Sequence, residues 1–268
     1  MSSAQSKSIG TLTAILIATM CLPLGAQQIA PAVQNNDAAQ LSLQEILSRL
    51  AQTQVQNRNH VRPYTVSREY RLYAGDSNQS ESQVLAEVSF IPPGSKEYAI
   101  KESEGSGQGP RVVRKVLAHE QEMAADWERT ALTHDNYDFR LAGTEVSDGH
   151  RCYVLIMSPK RDSKDLIRGR AWVDAENFNV RKMEGELAKS PSWWVKRVQL
   201  TLTFNEVQGL WLQTAARAAA DVRLVGKRVL TSQDLSYRTA DVVATKTKTP
   251  IRQKNFTRTL GAGVVVIR

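Results

Sequence analysis

The side chains best suited to metal or nucleophilic chemistry are few and lie far apart in the sequence. The four histidines show no common spacing of metal ligands: His60, His119, His134 and His150. There is no Gly-x-Ser-x-Gly nucleophile elbow, and the glycine-rich stretch 105–109 lacks the lysine and the strand-to-helix context of a nucleotide site. The sequence therefore predicts no metal site and no cofactor.

Paired carboxylates are the remaining candidates for acid/base chemistry. Glu184 and Glu186 are two positions apart on a predicted strand, so their side chains point to the same face. Most such pairs are solvated surface charges, so a hydrolase is kept only as a second alternative. Basic residues in or beside the predicted strands indicate a sheet with one polar and one apolar face.

Residues 1–26 are typical of a cleavable secretory signal. Lys7 precedes an apolar stretch that is shorter than the ~20 residues a membrane-spanning helix needs, and a small residue, Ala26, precedes the expected cleavage site. Met20 before Cys21 does not fit a lipoprotein cleavage site. The expected location is the periplasm, with residues 27–40 as a linker.

Cleavage would remove Cys21 and leave Cys152 as the only cysteine of the mature chain, so no internal disulfide is expected. Cys152 lies in an apolar run. A buried structural role is therefore predicted for its thiol.

Two amphipathic helices are predicted. Ser42 and Glu45 form a capping-box pattern at the start of the first, and the second spans residues 110–131. Their apolar side chains are expected to cover the sheet and line a cavity: Leu43, Ile46, Leu47 and Leu50 from the first helix, with Val113, Leu117 and Trp127 from the second.

Alternation of apolar and polar residues predicts eleven strands, separated by turn residues: 64–72, 84–91, 97–102, 137–145, 151–158, 167–174, 180–187, 195–205, 210–219, 222–229 and 231–237. This spacing favours one continuous antiparallel sheet. Trp193 and Trp194 are adjacent, so on a strand one would be buried and the other exposed.

Three segments of the sequence resemble the middle of the LolA/LolB-type outer-membrane lipoprotein-sorting superfamily: residues 148–160 (DGHRCYVLIMSPK), 169–174 (GRAWVD) and 180–186 (VRKMEGE). The resemblance implies an α+β fold over residues 41–240, in which a strongly curved antiparallel sheet forms an unclosed β-barrel. Two helices would cover its apolar concave face.

By the same resemblance, the chain would be a non-catalytic carrier or receptor for lipid or lipoprotein acyl chains. The first alternative is an envelope protein-interaction or sensor module on the same scaffold.

The C-terminal tail, residues 241–268, is rich in basic side chains. Lys and Arg exceed Asp and Glu by eight in the whole chain (35 against 27), and no acidic residue follows Asp241. Since no RNA- or DNA-binding motif accompanies the charge, an anionic membrane surface is a more suitable partner than nucleic acid. A solvated tail without a partner is the equally weighted alternative.

Overall fold

The structure is a computed structural model that describes residues 41–239. Within these residues the chain forms two α-helices, a short 3-10 helix at Trp127–Arg129 and ten strands. The helices are α1 (Leu43–His60) and α2 (Gln108–Ala125). The strands are β1 (Tyr64–Ala74), β2 (Ser82–Ile91), β3 (Ser95–Gly105), β4 (Tyr137–Ser147), β5 (His150–Pro159), β6 (Ile167–Asp174), β7 (Val180–Leu187), β8 (Val195–Val207), β9 (Leu210–Val222) and β10 (Gly226–Thr239).

Helix α1 begins with the predicted capping box. The Ser42 hydroxyl accepts a hydrogen bond from the Glu45 backbone N–H at 3.3 Å, and the Glu45 carboxylate accepts one from the Ser42 backbone N–H at 3.0 Å. These two bonds satisfy backbone donors that a helix start leaves free. Hydrogen bonds from Ser42 also lower the pKa of the Glu45 carboxyl.

The second helix is shorter than predicted. It starts at Gln108 and ends at Ala125, because Asp126 leaves the helical conformation with φ −134° and ψ 70°. Trp127 therefore lies in the separate 3-10 helix and not on α2.

All strand pairs are antiparallel, in the order β3-β2-β1-β10-β9-β8-β7-β6-β5-β4. The first three strands and the last seven form two meanders, joined where β1 pairs with β10. β3 and β4 are the two edges of this open sheet, and α2 connects one edge to the other. The predicted fold class is confirmed: α+β, with a curved, unclosed antiparallel sheet and two helices on its concave face.

The strand predicted at 222–229 is wrong. Residues 223–225 form the turn between β9 and β10, so the last two predicted strands merge into β10 and ten strands replace eleven. Apolar Leu224 and Val225 suggested a strand, yet both side chains are exposed. Trp193 and Trp194 lie in the β7–β8 connection and are both exposed, which corrects the expectation that one would be buried.

Directly paired residues of antiparallel strands share a face, so the register traces one face of the sheet across nine strands. The row consists of Val84, Tyr70, Ser232, Ala216, Leu202, Met183, Ala171, Leu155 and Leu141. We call this side the helix face, because both helices pack on it.

The opposite face carries a small buried group, Cys152, Val154 and Trp172. The predicted burial of Cys152 is confirmed, and burial raises the pKa of its thiol. The predicted signal (1–26), linker (27–40) and basic tail (241–268) lie outside the described residues. No helix between residues 41 and 239 is both long and apolar enough to cross a membrane.

Candidate functional site: the helix face of the sheet

Helix α1 packs on the β4–β7 part of the helix face and also contacts β9. Its side chains Ile46, Leu47 and Leu50 are buried there. We call this group the α1 cluster; the sheet side chains that contribute to it include Tyr137, Leu155, Met157, Ala171, Val173 and Met183.

Helix α2 packs on β1, β2 and β3 at the other end of the same face. Val113 and Leu117 are buried against a second group of side chains, the α2 cluster: Val66, Tyr70, Val84, Ala86 and Val88. Two glycines allow this close approach. A side chain at Gly109 would overlap Ser82 of β2, and one at Gly94, in the β2–β3 turn, would overlap the backbone carbonyl of Ala124.

Five of the seven predicted cavity residues are thus buried, three in the α1 cluster and two in the α2 cluster. Leu43 is partly buried beside the α1 cluster. Trp127 is half-buried, with the Arg58 guanidinium of α1 4.8 Å from its ring centre. The structure does not bring the seven side chains into one group, and their role as cavity-lining residues stays a prediction.

Between the two clusters the helix face is only half-buried. Along the row that crosses the sheet, burial is complete at Tyr70 in the α2 cluster and is nearly complete again at Met183 in the α1 cluster. It is partial at the three positions between them, Ser232, Ala216 and Leu202. The next row repeats the pattern with half-buried Leu230, Ala218 and Leu200. We call these six residues the seam: a mostly apolar strip between the helices, with short side chains in the middle.

A buried ionic group fixes α2 to the sheet beside the seam. Arg68, on β1, donates from Nη1 to the Glu120 carboxylate of α2 at 3.1 Å and from Nη2 to Asp234 of β10 at 3.2 Å. Lys96 of β3 also donates to Glu120, at 3.1 Å, and the Tyr237 hydroxyl donates to Asp234. The two cations and two carboxylates balance, so this group has no net charge.

The surroundings keep these groups charged. Burial alone would raise the pKa of the Glu120 carboxyl, but Lys96 and Arg68 lower it below its ordinary value. Burial would lower the pKa of Arg68, and Glu120 and Asp234 instead raise it. Within residues 41–239 the buried Tyr70 hydroxyl has no hydrogen-bond partner, and burial raises its pKa. The ionic contacts therefore help to hold α2 on the sheet, although desolvation of the charged groups offsets part of their attraction.

Asp165, in the β5–β6 connection, makes a second attachment near α2. One oxygen of its carboxylate accepts a hydrogen bond at 2.5 Å from Arg129, the last residue of the 3-10 helix. The other oxygen lies 3.3 Å from Nε2 of His119 on α2. Helix α1 is held by neutral hydrogen bonds: the Gln54 amide bonds both backbone groups of Leu132, and Asn57 bonds Asn179.

The opposite face offers a different environment. A groove of about 380 Å³ crosses β1, β10, β9 and β8 there, and charged and polar side chains lie in its lining beside apolar surface: Glu69, Arg71, Thr201, Thr203, Arg217 and Gln233 are among its residues. An alkyl chain in this groove would bring Glu69, Arg71 and Arg217 out of water, which is unfavourable. The candidate pair Glu184 and Glu186 forms surface ion pairs with Lys182 and Arg197. In the described part of the chain, no three His, Cys, Asp or Glu side chains are grouped to hold a metal ion.

The ionic group was missed by the sequence reasoning, although one signal was present. Arg68 falls on the buried side of an alternating strand, between Val66 and Tyr70, where a charged side chain needs a partner. Its partners could not be assigned, because Glu120 and Asp234 are 52 and 166 positions away.

No protein-family model matches the chain, and no curated protein shows significant sequence similarity to it. Several solved structures have a similar fold. A putative outer membrane lipoprotein-sorting protein domain from Vibrio parahaemolyticus is 11% identical, with 75% of this chain and 95% of that chain covered and a TM-score of 0.43.

A DUF1329 family protein from Desulfovibrio piger is 14% identical, with 75% and 94% covered and a TM-score of 0.40. A LolA superfamily protein from Nitrosomonas europaea is 15% identical, with 76% and 96% covered and a TM-score of 0.36. Two of these structures carry the lipoprotein-sorting or LolA name of the superfamily that the sequence segments resemble. Scores this low carry nothing about activity, so function is argued below from this chain's own residues.

Proposed function

We propose that this chain is a non-catalytic carrier or receptor that binds lipid or lipoprotein acyl chains on the helix face of its sheet, in the periplasm. The observation that supports it best is the seam. Here the middle of the apolar face is only half-buried between two packed clusters, with Leu200 and Leu202 against the α1 cluster and Leu230 against the α2 cluster.

The side chains of the seam suit an alkyl chain. Leu200, Leu202 and Leu230 supply apolar surface, and Ala216 and Ala218 between them have short side chains. An alkyl chain laid along this strip gains about 0.8 kcal/mol for each CH₂ group that it removes from water. No catalytic group is needed for this gain, and the charged residues of this face are engaged with one another.

Helix α2 is the element expected to move when the chain enters. Buried ionic contacts attach it to the sheet, and a modest shift would transfer them to water. Helix α1 instead buries Ile46, Leu47 and Leu50 in the larger of the two clusters. Movement of α2 away from the seam would extend the apolar strip into the α2 cluster, so that Val113 and Leu117 would line it as predicted from the sequence.

The experiment is a titration of the full mature chain with fluorescent-labelled fatty acids of increasing length. Affinity is expected to rise about fourfold per CH₂ until the seam is filled. Ala218→Leu places a larger side chain in the seam and should weaken binding at least tenfold. Ala215→Leu is the matched control, because its position on the same strand faces the polar groove. Equal binding by both variants, or no dependence on chain length, would contradict acyl-chain binding at the seam.

A further inference from the structure

Four large apolar side chains are exposed together at one end of the sheet. Trp193 and Trp194 lie in the β7–β8 connection and are 82% and 40% exposed, and Leu224 and Val225 lie in the β9–β10 turn and are 107% and 51% exposed. The backbone N–H of Arg223 donates to the carbonyl of Trp194 at 2.8 Å, so the two loops are adjacent. We call these four residues the apolar tip.

Leu224 has an unfavourable backbone conformation and an unpacked side chain. Its φ is +68°, in the left-handed region that a bulky L-residue rarely adopts, and its side chain has no packing in return. Glycine or asparagine would fit this three-residue turn without strain. A strained, fully exposed leucine at this turn therefore favours a role in an external contact.

Free positive charge surrounds the apolar tip. The Lys115 ammonium of α2 lies 5.6 Å from the centre of the Trp194 ring, while Lys189, Lys196 and Arg223 are exposed within five positions of a tip residue. Within residues 41–239 none of these four cations forms an ion pair. One carboxylate close in sequence, that of Asp221, is also exposed and forms no ion pair within residues 41–239. Four cations against one carboxylate give the surroundings of the apolar tip a net positive charge.

We infer that the apolar tip docks on the surface of an anionic lipid bilayer. Tryptophan side chains favour the membrane interface, because the apolar ring can contact acyl chains while the indole N–H reaches water. Leu224 and Val225 would enter the acyl boundary, and the four cations would meet anionic headgroups. A protein partner would need carboxylates placed against four separate cations, whereas a bilayer supplies mobile anionic groups. This surface is distinct from the seam and does not depend on what the seam holds.

The test is co-sedimentation of the full mature chain with phosphatidylcholine vesicles, with and without phosphatidylglycerol. Leu224→Asn combined with Trp193→Ala should lower the partition coefficient on anionic vesicles roughly tenfold or more, from the loss of several buried apolar groups. Leu224→Asn alone should also weaken binding while leaving the denaturation midpoint unchanged or raised, since asparagine tolerates this φ. The control Val146→Asn, at another exposed apolar position, should bind within twofold of the unmodified chain.

Charge and partner are tested in the same series. Replacing Lys189 and Lys196 by glutamine should reduce binding to anionic vesicles and leave the weaker binding to neutral vesicles unchanged. If the tip variants bind as tightly as the control, the inference is overturned and the basic tail accounts for any membrane affinity. It is also overturned if the tip variants abolish self-association measured by light scattering without vesicles, because a second copy of the chain would then be the occupant.

Discussion

Replacing Glu120 by glutamine tests whether ionic contacts hold α2 on the sheet. The substitution keeps the shape and removes the charge that Arg68 and Lys96 both contact at 3.1 Å. At an effective dielectric constant of about 20, each contact is worth about 5 kcal/mol in gross attraction, and desolvation of the carboxylate offsets much of it.

Removing one partner of a buried ion pair costs about 3–5 kcal/mol. The cost here should be lower, because Asp234 continues to pair with Arg68, whose side chain is only 8% exposed, and Lys96 can turn toward water. Glu120→Gln is therefore expected to lower the free energy of unfolding by about 2 kcal/mol.

The assay is urea denaturation of the full mature chain, with hydrogen exchange of the backbone amides of α2. Glu122→Gln is the control on the same helix, because that side chain is 65% exposed and should change stability by less than about 0.5 kcal/mol. Amides of α2 should exchange faster in Glu120→Gln than those of α1. If the two variants have equal stability and equal exchange in α2, the ionic group does not hold the helix.

Three further predictions concern pH, packing and the thiol. The pKa of the Glu120 carboxyl lies below the ordinary 4.5 in the folded chain. Its contribution to stability is therefore complete above pH 4.5 and disappears as the pH falls through the folded-state pKa. Acid titration monitored by circular dichroism should show a steeper loss of folded structure for the unmodified chain than for Glu120→Gln. Leu50→Ala should lower the free energy of unfolding, measured with heat or urea, by about 2–5 kcal/mol, because Leu50 is fully buried in the α1 cluster. Val55→Ala, at an exposed position of the same helix, is the control. If Leu50→Ala lowers stability no more than Val55→Ala does, α1 is not packed as described. Cys152 should react with a thiol reagent in the native chain at neutral pH only as fast as the chain unfolds, and immediate labelling would contradict its burial.

Local features of the sequence predicted most of the fold. The Ser42–Glu45 capping box marks the start of α1, and alternation along β1 and β2 identifies the buried side of each strand. These patterns hold because helix caps and strand faces depend on neighbours two to four positions away. The turn at Leu224 was not predicted, because its apolar residues follow the local pattern of a strand although their side chains are exposed.

The candidate site could be predicted only in part. Apolar spacing on the helices indicated that Ile46, Leu50 and Val113 would be buried. It could not indicate that α1 and α2 cover separate ends of the sheet, because this follows from the pairing of β1 with β10. That pairing also joins Arg68 to Asp234, and no local pattern encodes a contact between residues 166 positions apart.

Acyl-chain binding is tested most directly by a lipid extraction. The mature protein is purified from the cell envelope without detergent and extracted with organic solvent, and the extracted compounds are identified by mass spectrometry. Unmodified protein is expected to yield an alkyl-chain lipid or a lipidated peptide in an amount comparable to the protein, and Ala218→Leu several times less, with Ala215→Leu unchanged. An extract free of alkyl-chain compounds, together with no fatty-acid binding by the same preparation, would contradict the proposed function.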